Sequence, residues 1–432
     1  LLTDVSDARP MKRNTFFYFS VFLLLLVEFT LNPFGVADEY WFRTHQTDSE
    51  GLVVARMVPT SDGDFFAIGG FFRMLDGDFN TNAPKIFDYY YFDDVASLPV
   101  SRFEPYTGQV GLHGHIFAAA DLAMRAAGLN GRQRFTLLRT VVASATAAIL
   151  AYLVLLIKLE FGLQGALTAL AMLVFSPWLT AMAKNIYWLI FCWFPPMALA
   201  WRAYVTSEPP IGKGLRSLAI LIGATLTLKC LCGFEYITSI GGATVSIAAY
   251  GLIKKGAGWR RMITHVSILM GAMACGVLSA LLIHVSVLGM YLGSFNAAVI
   301  DFIQRVHVHT SIGDRLYEHR SVSEAYVNAL QTSYLDTLLT YVNDAPIFSV
   351  ASDFSLNALY LLTPLTVFIL TIGAILLSRF RNDPFRQREA LALLTLAAGT
   401  AISSMSWFVF AHGHSSIHTH VNYVLWHVPY AF

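Results

Sequence analysis

Charge is what this sequence has least of. Only 13% of its 432 residues are Asp, Glu, Lys or Arg, against about 25% in a soluble globular domain. That shortage excludes a water-exposed fold of this size. The net charge of +1 leaves no basic excess to hold a nucleic acid. Cysteine is nearly as sparse. Cys192, Cys230, Cys232 and Cys275 all fall in apolar runs, and the spacing of Cys230 and Cys232 is not the CxxC of a zinc or redox pair. There is no HExxH, and neither "DGD" copy, at 62–64 and 76–78, continues into a calcium loop. Internal repeats are lacking, and one clear proline break, "FPPMAL" at 194–199, interrupts the apolar runs. What remains is apolar: 56% of the chain is hydrophobic, with a mean hydropathy of +0.55.

A bilayer crossing needs about 20 apolar residues. Runs of that kind lie at 15–33, 135–157, 164–183, 187–204, 216–233, 236–253, 262–292, 355–378 and 387–410. The expectation is an all-α polytopic membrane protein of about nine transmembrane helices with two large extracytoplasmic loops. "MKRNTFFYFSVFLLLLVEFTL" reads as a natural start and a retained first span, with residues 1–10 an extension before it. The segment 112–124 is too short to cross and carries His113, His115 and Asp121; a helix lying on the membrane surface suits it. So placed, Lys158, Arg202, Lys213, Arg216, Lys254, Lys255, Arg260, Arg261, Arg379, Arg381, Arg386 and Arg388 share one side with the N-terminus. The positive-inside rule makes that side cytoplasmic.

The resulting plan is a cytoplasmic N-terminus (1–14), a first span (15–33), an outer loop (34–134), a six-helix core (135–292), a second outer loop (293–354), two further spans (355–410) and a His-rich outer tail (411–432). Eleven of 13 histidines fall in the outer regions; His265 and His284 do not. The first loop places Asp48 between a span and the apolar stretch 51–58, which reads as a second surface helix. A carboxylate there can take a proton from an acceptor hydroxyl or amide. Lys229, in "LKCLCGFEYIT", lies near the outer end of its span with Glu235 six residues on. Ionisable groups at that depth are functional candidates or a pair that neutralises itself. The second loop holds Arg305, His307, His309, Arg315, His319 and Arg320 within sixteen residues, and guanidinium forks match phosphate oxygens. In the tail, His414 and His418 would share a helix face and His418 and His420 a strand face. These imidazoles suit a phosphate or a sugar, a zinc ion, or an outer plug anchored by Trp407, Tyr423 and Trp426.

This layout resembles the GT-C superfamily of polytopic glycosyltransferases. "TDSEGLVVARM" looks like the acidic motif that opens their first outer loop, and "PYTGQVGLHGHIFAAADL" like the surface helix that follows. The resemblance covers residues 15–300 by layout. It implies an inverting glycosyltransferase in a cell-envelope membrane such as the bacterial inner membrane. Such an enzyme uses a polyprenyl-phosphate sugar as donor and a glycan, lipid or protein as acceptor. Asp48 and Glu50 are then the catalytic carboxylates. Lys229, Glu235, Arg305, His307, His309, Arg315, Arg320, His414, His418, Tyr106, Gln109 and His113 would bind lipid phosphate or sugar. One departure concerns the next outer loop, where relatives carry a second acid and this chain reads "MAKNIYW", with Lys184 and Asn185. A divalent metal is therefore not favoured, and His414, His418 and His420 are the nearest approach to a metal set. Three alternatives stay open: a polymerase or ligase of lipid-linked glycans, a transporter, and a non-catalytic subunit of a membrane complex. Partners other than membrane lipids, donor and acceptor are not legible.

Overall fold

A computed structural model describes residues 8–38, 47–61, 68–74, 86–88, 90–91, 103–310, 332–343, 349–350, 354–355, 359–380, 382–417 and 419–426. The fold is helical, with two short antiparallel strand pairs among the described residues. Its helices are α1 (Ala8–Leu31), α2 (Thr47–Ser61), α3 (Leu112–Ala126), α4 (Gly131–Val174), α5 (Pro177–Met182), α6 (Pro195–Ala200), α7 (Gly212–Cys232), α8 (Ile237–Lys254), α9 (Trp259–Leu292), α10 (Phe295–Thr310), α11 (Tyr334–Asn343), α12 (Leu359–Phe380), α13 (Pro384–Phe410), α14 (His412–Ile417) and α15 (Thr419–Asn422). One strand pair joins β1 (Phe72–Met74) to β2 (Phe103–Pro105), with Arg73 opposite Glu104.

Among the described residues six helices are long and apolar enough to cross a membrane: α1 from Arg13, α4, α7, α8, α9 and α13. This is a helical membrane protein by length and composition. At about 1.5 Å per residue an unbroken α4 would run ~66 Å, twice the ~30 Å hydrocarbon core. It is divided at Gly162, which leaves helical geometry at φ 76°, ψ −173°. Two expected spans are not single helices. The run 164–183 stops at Phe175, and α5 restarts on the Ser176 side-chain cap. The run 187–204 opens with a 3₁₀ turn at Ile190–Trp193, continues as α6 and ends in a π turn at Trp201–Val205. Pro195 and Pro196 are the cause, since a proline ring removes a helical donor and is tolerated only in a first turn.

Side-chain contacts order the ends of these helices. Lys158 Nζ donates to Asn14 Oδ1 (3.0 Å) and Tyr18 OH to Ala148 O (3.4 Å), so α1 and the first arm of α4 are antiparallel. Thr227 Oγ1 on α7 donates to Gly276 O on α9 (3.1 Å). The described residues of the first loop and of the tail, the turn 184–189, the break 233–236, α10 and α11 gather at one end. The described cations of 158, 202–216, 254–261 and 379–388 gather at the other. We call these the histidine end and the basic end.

At the histidine end the expected surface helix at 51–58 is corrected. Those eight residues sit in the middle of α2 and every one is buried, enclosed by α3 and β1. A helix buried all round is a core element and cannot lie on a membrane. The segment 112–124 is helical as expected, within α3, and buries His113, Phe117, Ala118 and Asp121. Its Asp121 accepts from Arg134 Nε (2.8 Å) and from Tyr90 OH. Arg134 and Arg139, in the first turns of α4, are thus taken up by carboxylates of the first loop, Asp121 and Glu50.

Candidate functional site

The site is built on the loop 106–111, between β2 and α3. Two backbone bonds hold this loop against residues 70–71: Tyr106 N–H donates to Phe71 O (2.8 Å), and Gly70 N–H to Val110 O (3.2 Å). The approach is close enough to demand glycine. A Cβ on Gly114 would sit 1.7 Å from Gly70 O. So pinned, the loop points Gln109 across 126 residues of sequence to Glu235. Gln109 Nε2 donates to Glu235 Oε1 at 2.5 Å and to Tyr187 OH at 2.7 Å. Lys229 closes the cluster. It sits in the last turn of α7, where a cation meets the unpaired carbonyl end of the helix. Its Nζ donates to Gly233 O (2.5 Å) and lies 3.5 Å from Glu235 Oε2. Lys229 is 2% and Glu235 8% exposed. Gly233 leaves the room they need, since a Cβ there would lie 2.3 Å from Glu235 Oε2 and 2.8 Å from Gln109 Oε1.

Unmet hydrogen-bonding capacity converges here. His113, one turn into α3, is 2% exposed and held edge-on by Phe71 (4.9 Å between centroids) and Phe117 (5.9 Å). Neither of its ring nitrogens, nor Gln109 Oε1, has a well-formed hydrogen bond among the described residues. The thiol of Cys232 is the polar group beside the ring, and thiols are weak donors. Buried polar atoms left this way are uncommon and call for a ligand or water. Backbone strain marks the same place. Leu189 and Tyr236 are non-glycine residues at φ 42° and 60° in the segments that flank the cluster, and such strain gathers at functional sites. Arg305 on α10 reaches the loop from the other side. Its Nη2 donates to Thr107 Oγ1 and its Nε to Asp301 Oδ2 (2.6 Å). The fold therefore brings Gln109, His113, Lys229, Glu235 and Arg305 together around one loop, with Tyr106 at its start.

The acidic motif lies on α2. Asp48 is in the first turn; its side chain lies outside the description. Glu50, 2% exposed, has its oxygens occupied: Arg139 Nε and Nη2 donate at 3.0 and 2.5 Å, and Ile186 N–H at 3.0 Å. That arrangement clamps α2 to α4 and to the turn 184–189. Asn185 Oδ1 accepts from the backbone N–H of Tyr187 (2.8 Å) and Trp188 (3.1 Å). The side-chain oxygens of Glu50 and Asn185 are thus committed to proton donors. Among the described residues no group of three or more His, Cys, Asp or Glu could hold a metal ion.

The tail is packed differently from the open rim its composition suggests. Val421, Val424 and Leu425 are fully buried. Tyr236 OH donates to Val421 O (2.8 Å), Trp407 Nε1 to Asn422 Oδ1 (2.8 Å) and Asn422 Nδ2 to Ser415 O (2.8 Å). His412 is buried under Tyr334 at 3.8 Å and bonds Thr332 O through Nε2 (3.0 Å). His414 is half-buried against Trp407 (5.4 Å). The apolar residues Val421, Val424 and Leu425 that follow the histidines supply the reason: this part of the tail covers the ends of α8 and α13 instead of standing in solvent. Arg315, Arg320 and His418 lie outside the described residues. His307, His309 and His420 are on helices, with side chains outside the description.

Sequence reasoning missed Tyr187, Arg139, Gly233 and the Asn185 cap. Of these only Asn185 carried a signal, as a polar break in an apolar run. No protein-family model, no curated protein and no solved structure matches this chain.

Proposed function

We propose that the protein is a GT-C-type membrane glycosyltransferase with its site at the histidine end. The basic end faces the cytoplasm by the positive-inside rule. The two arms around Gly162, the broken leg 190–205 and α12 then complete nine passes. One observation carries the reading: a buried Lys229–Glu235 pair at the end of a membrane helix, beside unmet acceptor and donor atoms on Gln109 and His113. The donor is a polyprenyl-phosphate sugar. Its lipid stays in the bilayer and its phosphate reaches the third ammonium proton of Lys229 and the rim guanidinium of Arg305.

In the reaction an acceptor oxygen or nitrogen attacks the anomeric carbon as the carbon–oxygen bond to phosphate breaks. The bonding pair leaves with polyprenyl phosphate and the configuration inverts. Asp48 receives the acceptor's proton. Glu50, with both oxygens occupied, positions α2. Fixed cations at the leaving phosphate stabilise charge that water at this depth would hold poorly. The test is transfer of radiolabelled sugar from polyprenyl-phosphate donors in membranes bearing Asp48→Asn. Turnover should fall on the order of 10²-fold or more with the fold intact. Transfer at the wild-type rate would end the assignment.

A further inference from the structure

The basic end carries a second feature that the glycosyltransferase reading does not use. A groove of about 300 Å³ opens between α8, α9 and α13, lined by Ala249, Ile253, Met262, Ile263, Val266, Ser267 and Thr395. Two hydroxyls are its polar groups, and that of Thr395 is spent on Leu391 O (2.8 Å). It lies near the ends of α8 and α9 opposite the Lys229 cluster. The volume is at the low end of small-molecule sites, roughly 300–1,000 Å³. It suits a stretch of one hydrocarbon chain.

The mouth of this groove is cationic. Arg388 on α13 is seven residues before Thr395, so the two share a helix face two turns apart. Its guanidinium lies over the α8–α9 turn, where a Cβ on Gly256 would be 2.7 Å from Nη1. Four other cations of this end are committed: Lys254 to Glu160, Lys255 to Ser207 O, Arg261 to Pro209 O (3.2 Å) and Arg386 to Asp383 (3.2 Å). Among the described residues Arg388 is exposed and has neither an ion pair nor a hydrogen bond. Of the carboxylates near this turn, Glu160 on α4 is occupied by Lys254 and Tyr250, and Glu389, next to Arg388 on α13, lies within electrostatic reach of Tyr250. Trp259 stands three, four and seven residues before Met262, Ile263 and Val266, hence on the groove face. It is 65% exposed, with the Arg260 guanidinium 5.5 Å from its ring. An indole beside a guanidinium, above an apolar slot, is the pattern of a headgroup level.

We propose that this groove binds one anionic glycerophospholipid, its phosphate on Arg388 and Arg260 and one acyl chain along Ile253, Met262 and Val266. Charge complementarity selects the occupant: at the mouth Arg388 and Arg260 outnumber the Glu389 carboxylate beside them, so the net negative charge of phosphatidylglycerol is favoured over a zwitterionic lipid, which brings its own cation.

The test is native mass spectrometry of the full chain, delipidated in detergent and re-exposed to equimolar phosphatidylglycerol and phosphatidylcholine. Wild type should retain phosphatidylglycerol in preference. Arg388→Gln should weaken that retention about fivefold, the effect of one interfacial cation, and leave phosphatidylcholine unchanged. Ser267→Phe, which fills the groove without touching charge, should lower retention of both lipids. Arg386→Gln, an exposed neighbour outside the groove, should change nothing. Equal retention of the two lipids by wild type, no effect of Arg388→Gln or of Ser267→Phe, or an equal effect of Arg386→Gln would each overturn the site. None of these results bears on sugar transfer.

Discussion

Removing Lys229 and Glu235 singly and together separates their structural role from their chemical one. Lys229→Met leaves the Glu235 carboxylate 8% exposed with Gln109 Nε2 as its remaining partner. Glu235→Leu leaves an ammonium 2% exposed with only Gly233 O. Removing one member of a buried pair costs about 3–5 kcal/mol, because the survivor stays desolvated. The pair's separation of 3.5 Å is long for an ion pair, which puts each single variant near the lower figure. The double variant removes both charges. Its cost reduces to the Gln109 hydrogen bond, about 1 kcal/mol. The double variant should therefore be more stable than either single. Unfolding in mixed detergent micelles, followed by circular dichroism, measures all three. Single costs below about 1 kcal/mol, or costs that simply add in the double, would refute burial of a coupled pair. Sugar transfer supplies the second readout. The double variant should fold yet transfer no sugar. If it regains wild-type turnover, the pair is only a structural element, and the observation carrying the proposed function is lost.

Three further outcomes are expected. Gly233→Ala adds a Cβ where 2.3 Å is free; its backbone is extended and accepts alanine, so the effect is steric, and transfer should fall at least tenfold, about 1.4 kcal/mol, with a lowered melting temperature. Arg139→Met strands Glu50, which keeps only the Ile186 N–H; the variant should lose about 3 kcal/mol in detergent unfolding, more than Glu50→Gln, which retains an acceptor. His115 on α3 is pulled down to about 4 by burial, and then by the charge of Arg56 beside it at 3.4 Å. Its folded pKa lies below the ordinary value near 6.5, so the unfolded chain binds the extra proton. Stability is full above pH 6.5 and falls as pH drops toward 4; His115→Gln should flatten that decline in a melting-temperature series.

Much of the helical frame is legible in the sequence alone. A bilayer demands long apolar runs whatever surrounds them, so the six long helices, α3 between them, and the segregation of lysine and arginine to one end can all be read from residue order. The turn at Gly162 falls between the expected spans 135–157 and 164–183, and the Pro-Pro break at 194–199 carries a local signal, whereas the stop at 175–176 lies inside a run that reads as one span. Composition also marked Lys229, Glu235 and Arg305, because charge in apolar surroundings stands out. What only the tertiary structure decided is which groups meet. Gln109 reaches Glu235 because Gly70 and Gly114 let two backbones touch, a distance relation that no periodicity encodes. Glu50 and Asp48 are alike in sequence, yet Glu50 is filled by Arg139 and by a backbone N–H 136 residues away. The helix at 51–58 reads as a surface element until α3 and β1 close over it. The tail's histidines look like an exposed cluster until Tyr236 and Trp407 bury the chain between them. Local sequence sets which residues prefer lipid, helix or turn, because those preferences act over a few residues. Partnership, burial and spare hydrogen-bonding capacity depend on atoms far apart in the chain, and only folding brings them into contact.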